Sequence, residues 1–158
     1  MKKIIFAILI NLVSFKALYA LIEVDITRGN LDPLPIAVSP LHVDTNSVEH
    51  EGIKVKELGN NISLIIEKNF KSTGLFNPLK KDAFVQKPDI AHLKPRFEDW
   101  RLIKAQALVT GKLLVSGDKL KVEFRLWDLT AAKEILALAF TTTPSNWRRV
   151  AHIISDKI

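Results

Sequence analysis

The 158-residue chain contains no cysteine. That excludes thiol catalysis, disulfide bridges and thiolate metal sites together, and leaves the redox compartment open. His42, His50, His92 and His152 are scattered, none has a neighbour at metal-ligand spacing, and no H-E-x-x-H is present. Ser39 and Ser63 lack the G-x-S-x-G context of a nucleophile elbow, and Gly111 stands without a phosphate-cradling loop around it. Asp25, Asp32 and Asp44 are scattered through an N-terminal tether and a loop. No constellation for catalysis, a cofactor or a metal is legible, and none is expected. No internal repeat is present, and the Trp127–Asp128 pair recurs at no propeller-blade spacing.

What remains is ordinary globular material, with 47% apolar and 25% charged residues. Such a composition can bury a core. The formal charge is +6, and Lys2, Lys3 and Lys16 contribute half of it. Without the first twenty residues, 20 basic residues stand against 17 acidic ones, a net +3 with no focused basic stripe. That is weak ground for a nucleic-acid partner.

The longest apolar stretch is Ile4–Phe15, about a dozen residues interrupted by Asn11 and Ser14. A bilayer span needs about 20. Two leading lysines, a short apolar centre and a small terminal residue make Met1–Ala20 a secretory signal, with cleavage expected after Ala20. Leu18 departs from the small residue usual near such a site. The other reading is a retained membrane anchor. With cleavage, the mature chain lies outside the inner membrane, in the periplasm of a cell with two membranes.

Residues Leu21–Thr27 alternate, with Ile22, Val24 and Ile26 on one side and Glu23, Asp25 and Thr27 on the other. That is strand period. Gly29, Pro33 and Pro35 punctuate the next eight residues. A strand-capable arm (21–35 with its hinge) is expected to precede a folded domain over 36–158. Such an arm can add to a sheet edge of its own domain or of a partner; the other reading is a frayed terminus.

Within the domain, Ile36–Leu41 reads as a buried strand and the polar stretch after it, from His42 to Ile53, as a loop. Leu58, Ile62, Ile65, Ile66 and Phe70 recur at helical spacing, with Gly74 placed for a left-handed cap and Pro78 forbidding continuation. Phe76–Lys81 reads as a short strand or edge, with Pro78 arguing against a central place. Glu98–Lys104 suggests a turn or two of helix. Three strands are expected around Gly111, over Leu120–Asp128 and over Glu134–Thr143, joined closely enough for an antiparallel meander. Ser145 is the expected cap of a last helix whose stripe is Trp147, Val150, Ala151, Ile154 and Ile158. The pairs Lys80–Lys81 and Arg148–Arg149 read as solvated surface. Trp127 sits in the polar phase of its strand and reads equally as packed under a loop or as part of a contact surface. The expected fold is α/β of the α+β type: a two-layer sandwich with a mixed sheet of about five strands and two main helices on one face.

The stretches PIAVSPL, STGLFNPL, ALVTGKLL after Trp100, VEFRLWDL and NWRRVAHIISDKI occur in this order. In them the chain resembles the N-terminal domain of TolB, a periplasmic component of the Tol–Pal system, from about Leu21 to Ile158. The resemblance implies a non-catalytic interaction component with no cofactor. It implies roles in outer-membrane integrity, in invagination during division and in susceptibility to imported toxins. It places contact with TolA in Leu21, Ile22, Glu23, Val24, Asp25, Ile26 and Thr27, with Gly29, Pro33 and Pro35 as the hinge. In that family the last helix leads into a β-propeller, which carries the main docking surface for the lipoprotein Pal. Here the sequence stops while the stripe is still running, so a split or truncated reading frame or a chosen boundary is expected, and direct contact with Pal is not. Two other classes stay open: a small basic nucleic-acid-binding module, and a periplasmic enzyme with an unrecognised site.

Overall fold

The computed structural model describes residues 32–44, 49–50 and 52–158. All of them belong to the unit that runs from Leu31 to Ile158. Strand β1 (Leu34–Val38) is followed by a two-residue strand β2 (His42–Val43) and a small hairpin of β3 (Glu49–His50) with β4 (Ile53–Lys54). Helix α1 (Val55–Thr73) then leads to β5 (Phe76–Pro78). A connection with two short helices, α2 (Pro88–Ala91) and α3 (Phe97–Leu102), reaches the meander β6 (Ala107–Ser116), β7 (Lys119–Asp128) and β8 (Lys133–Thr142). Helix α4 (Trp147–Lys157) closes the described chain.

The sheet has the order β5-β1-β6-β7-β8, with β2 also paired to β6. Its β5, β1 and β2 pairings are parallel and its meander is antiparallel. The expected mixed sheet is therefore present, with six strands in place of about five. The polar stretch expected to be all loop supplies the extra strand and the hairpin. Segments of two residues carry no periodicity, so only long-range pairing reveals them.

Alternation sorts the strands. Ile36, Val38, Val109, Leu113, Val122 and Phe124 point to the face covered by α1 and α4, where Leu58, Ile62, Ile66, Phe70, Val150 and Ile154 complete the main core. The two main helices do lie on one face, as expected of a sheet with two main helices. The opposite face carries a second, smaller core: Ala37, Leu108, Trp127 and Leu129 pack with Ala91, Trp100 and Ala105 from the connection. One end of the second face is thus covered as well, by the segment that carries α2 and α3.

Helix α1 ends where the sequence says it should. Gly74 adopts φ 72°, its N–H reaching the Lys71 carbonyl. That left-handed conformation costs glycine little and a β-carbon more. The last helix corrects an expectation. Pro144–Asn146 form a 3-10 turn, α4 starts at Trp147 with Asn146 at its cap position, and no side chain caps it. The Ser145 hydroxyl instead bonds the Thr143 hydroxyl at 2.9 Å. Pro144 sets the tighter turn, and this spends Ser145 one residue too early.

Candidate functional site

The residues singled out as an arm, Leu21, Ile22, Glu23, Val24, Asp25, Ile26 and Thr27, lie outside the described residues, as do the expected signal segment Met1–Ala20 and Gly29. What is described is their anchor. Pro33 is exposed and precedes the first ladder bond. Pro35, expected in the hinge, is instead the second residue of β1. Leu34 N–H bonds the Leu75 carbonyl and the Pro35 carbonyl accepts from Gln106 N–H, both at 2.9 Å. Proline is tolerated at the opening of a strand, where its missing donor interrupts no established ladder. Of the residues expected in the hinge, Pro33 alone lies within the described chain and outside a strand.

The two sheet edges differ. Strand β5 is three residues long and includes Pro78. Strand β8 is ten residues long and, among the described residues, pairs only with β7. Near the β5 edge the Lys81 ammonium is folded inward. Its Nζ lies 2.8 Å from Ser63 Oγ, 2.9 Å from Asn60 Oδ1 and 3.1 Å from Glu67 Oε1. Lys81 therefore departs from the solvated reading given to the Lys80–Lys81 pair, because three acceptors on one face of α1 converge on it. Burial raises the Glu67 carboxyl above its ordinary range, and the Lys81 charge pulls the other way.

The part of the second face that no described element covers carries a charge lattice. Lys121 Nζ sits 2.7 Å and Lys112 Nζ 3.7 Å from the Glu123 carboxylate, and Arg125 Nε sits 3.1 Å from Glu134 Oε2. The hydrogen bond from Lys121 holds the Glu123 carboxyl below the ordinary carboxylate range, against a smaller desolvation. Arg125 also donates to the His92 carbonyl at 3.2 Å. His92 stacks on His42 with ring centroids 4.5 Å apart and planes within 4°. Alternation marks these strand residues as polar. Only register shows that Lys112 and Glu123 are direct cross-strand partners.

The open reading of Trp127 resolves. Trp127 is packed, not displayed: its indole N–H donates to Thr110 Oγ1 at 2.9 Å under the edge of Phe97. His152 is exposed, and its Nδ1 lies 3.0 Å from Asn69 Nδ2, a link between α4 and α1. A shallow groove of about 460 Å³ runs beside His42, with Lys56, Lys87 and Asp89 at its rim. Among the described residues no three His, Asp or Glu side chains converge as metal ligands. No helix among them is long and apolar enough to cross a membrane.

The family model for the TolB amino-terminal domain matches residues 22–135. The chain belongs to the TolB amino-terminal domain family. It is 63% identical over 153 residues to the Tol-Pal system protein TolB of Pelagibacter ubique (strain HTCC1062), covering 96% of this chain and 34% of that protein. The chain thus spans about a third of the length of the curated TolB relative it matches. Its fold is similar to that of TolB from Acinetobacter baumannii, with TM-score 0.60 and 19% identity over 78% of this chain and 27% of that one. It is also similar to lipoprotein GNA1162 from Neisseria meningitidis, with TM-score 0.55 and 12% identity over 79% of this chain and 96% of that one. At those identities the two structures speak for the TolB-type fold alone.

Proposed function

We propose that this chain is a non-catalytic, periplasmic interaction module of a Tol–Pal system that engages TolA through Leu21–Thr27. The observation that carries the reading is the family match, which begins at residue 22 and so takes in the alternating arm as well as the folded domain. The 63% identity to a Tol-Pal system protein supports the same assignment. An export signal at Met1–Ala20 delivers the chain to that compartment.

The chemistry of the arm suits strand addition. Ile22, Val24 and Ile26 offer an apolar ridge and the backbone offers ladder bonds. The domain contributes a fixed origin, since β1 is bonded on both sides from its first residues. Partner binding then tracks the fraction of time the arm is available, so any contact that releases it raises apparent affinity. Through that link the module contributes to outer-membrane integrity and to invagination during division. Contact with Pal is indirect.

Pull-down of the TolA periplasmic region by the full chain and by a chain lacking residues 21–27 tests the proposal. Capture by the first and not by the second is expected. Equal capture by both chains sinks the arm's role.

A further inference from the structure

We infer that the outer edge of β8, which no other described strand pairs with, is a self-pairing surface, at which two copies of this chain join strand to strand. A sheet edge exposes a row of backbone N–H and C=O groups, and proteins ordinarily blunt it with brevity, proline, bulges or charge. The β5 edge is blunted: it has three residues and ends in Pro78. The β8 edge is not. From Ile135 to Thr142 it has no proline, no glycine and no charged residue. The one irregularity of its ladder lies opposite Leu126 and Trp127, at the start of the strand, and pairing is continuous beyond it.

The side chains favour a second copy as the occupant. Leu136, Leu138 and Phe140 face the helix side and are only half-buried at the margin of the main core. Ala137, Ala139 and Thr141 face the other side and are exposed. Antiparallel pairing of β8 with itself keeps each face matched, because directly opposed residues share a face. A twofold axis near Leu138 sets Leu136 against Phe140 and Ala137 against Ala139. The charges of the strand, Lys133 and Glu134, then lie at opposite ends of the joint ladder, against threonines, so no like charges meet. The half-covered apolar shoulder of each copy gains cover from the other. Since the remaining β5 edge is blunted, the pairing closes at two copies and does not extend into a fibre.

Sedimentation velocity of the full chain over a concentration series tests this. The expected result is a species of twice the 17.8 kDa chain mass that dissociates on dilution. Two double variants on the exposed face, A137K/A139K and A137E/A139E, bring like charges together in any register near the centre, and each is expected to stay at the single-chain mass. Mixing the two is expected to restore the doubled mass, an outcome that a mere folding defect does not produce. A native chain that stays at single-chain mass at about 100 µM, which puts Kd beyond the range of specific pairs, overturns the proposal. So does a doubled mass that both double variants retain. Protection, in a single-mass chain, of those 135–142 amides that point away from β7 assigns the edge to another occupant and also overturns it.

Discussion

Leu41 N–H donates to the Gly59 carbonyl at 3.1 Å, and a β-carbon on Gly59 would collide with the Leu41 carbonyl oxygen. The helix and the bend after β1 thus touch backbone to backbone. Alanine in an exposed helical site stabilises relative to glycine by about 1 kcal/mol. Here the overlap reverses the sign. We expect Gly59→Ala to destabilise the fold by roughly 1–3 kcal/mol, in the range of core overpacking. A lowered urea midpoint with an unchanged slope is the readout. A raised midpoint would show that the bend yields freely.

Trp127 and Thr110 give a second test. The indole N–H is buried and has Thr110 Oγ1 as its partner at 2.9 Å. Thr110→Val keeps the shape and removes the acceptor, so it is expected to cost about 1–3 kcal/mol, as for any stranded buried donor. Trp127→Phe in that background adds less than it does alone, since the donor is gone too. A double-mutant cycle by chemical denaturation measures the coupling. Strictly additive losses would contradict the pairing.

How far these contacts are legible in the sequence depends on their range. The 3.6-residue spacing from Leu58 to Phe70 and the placing of Gly74 are local signals, and α1 obeys them. The meander is set by alternation and short turns, with Leu120, Val122 and Phe124 on the core side as the alternation predicts. The misses are non-local. The β2 strand exists only because His42 and Val43 lie beside Lys112 and Leu113. Lys81 looks like half of a surface pair until α1 brings Asn60, Ser63 and Glu67 to it. Ser145 has the right chemistry for a cap, but Pro144 winds a 3-10 turn first. For the candidate site, the arm is legible as alternation at Ile22, Val24 and Ile26, whereas the inclusion of Pro35 in β1 needs the pairing of Pro35 with Asn77.

Two carboxylates should respond to pH in opposite senses. Burial lifts Glu67 above its value of 4.5, so its contribution to stability is full below about pH 4.5 and is lost as pH rises through the folded-state value. Relative to the native chain, Glu67→Gln is therefore expected to gain as pH rises above 4.5. Glu123 is held below 4.5 by the Lys121 hydrogen bond, so its contribution is present above that value and is lost as pH falls through the folded-state one. Glu123→Gln is expected to fall behind the native chain above pH 4.5 and to match it in stronger acid. Urea midpoints at several pH values for the three chains check both. Parallel curves would contradict the assigned environments.

For the arm, amide hydrogen exchange is the sensitive probe. If Leu21–Thr27 is available for capture, the amides of Ile22–Thr27 exchange at unprotected rates in the chain alone. Addition of the TolA region is expected to slow them to the rates of a paired strand. Strong protection without any partner would mean that the arm is already held.

The central place of β6 has a consequence for the order of assembly. Its β7 flank is reached through a turn at Gly117–Asp118, so that ladder closes locally and fast. Its other flank must find Ile36–Val38, made long before it. Contacts between remote positions carry the largest loop-closure cost and set slow folding rates. During synthesis, which delivers the N-terminal portion first, the β6-facing edge of the apolar β1 segment stays open until β6 has been made, with only the three-residue β5 to pair with on its other side. Whatever shields nascent chains has to protect that segment for the whole interval.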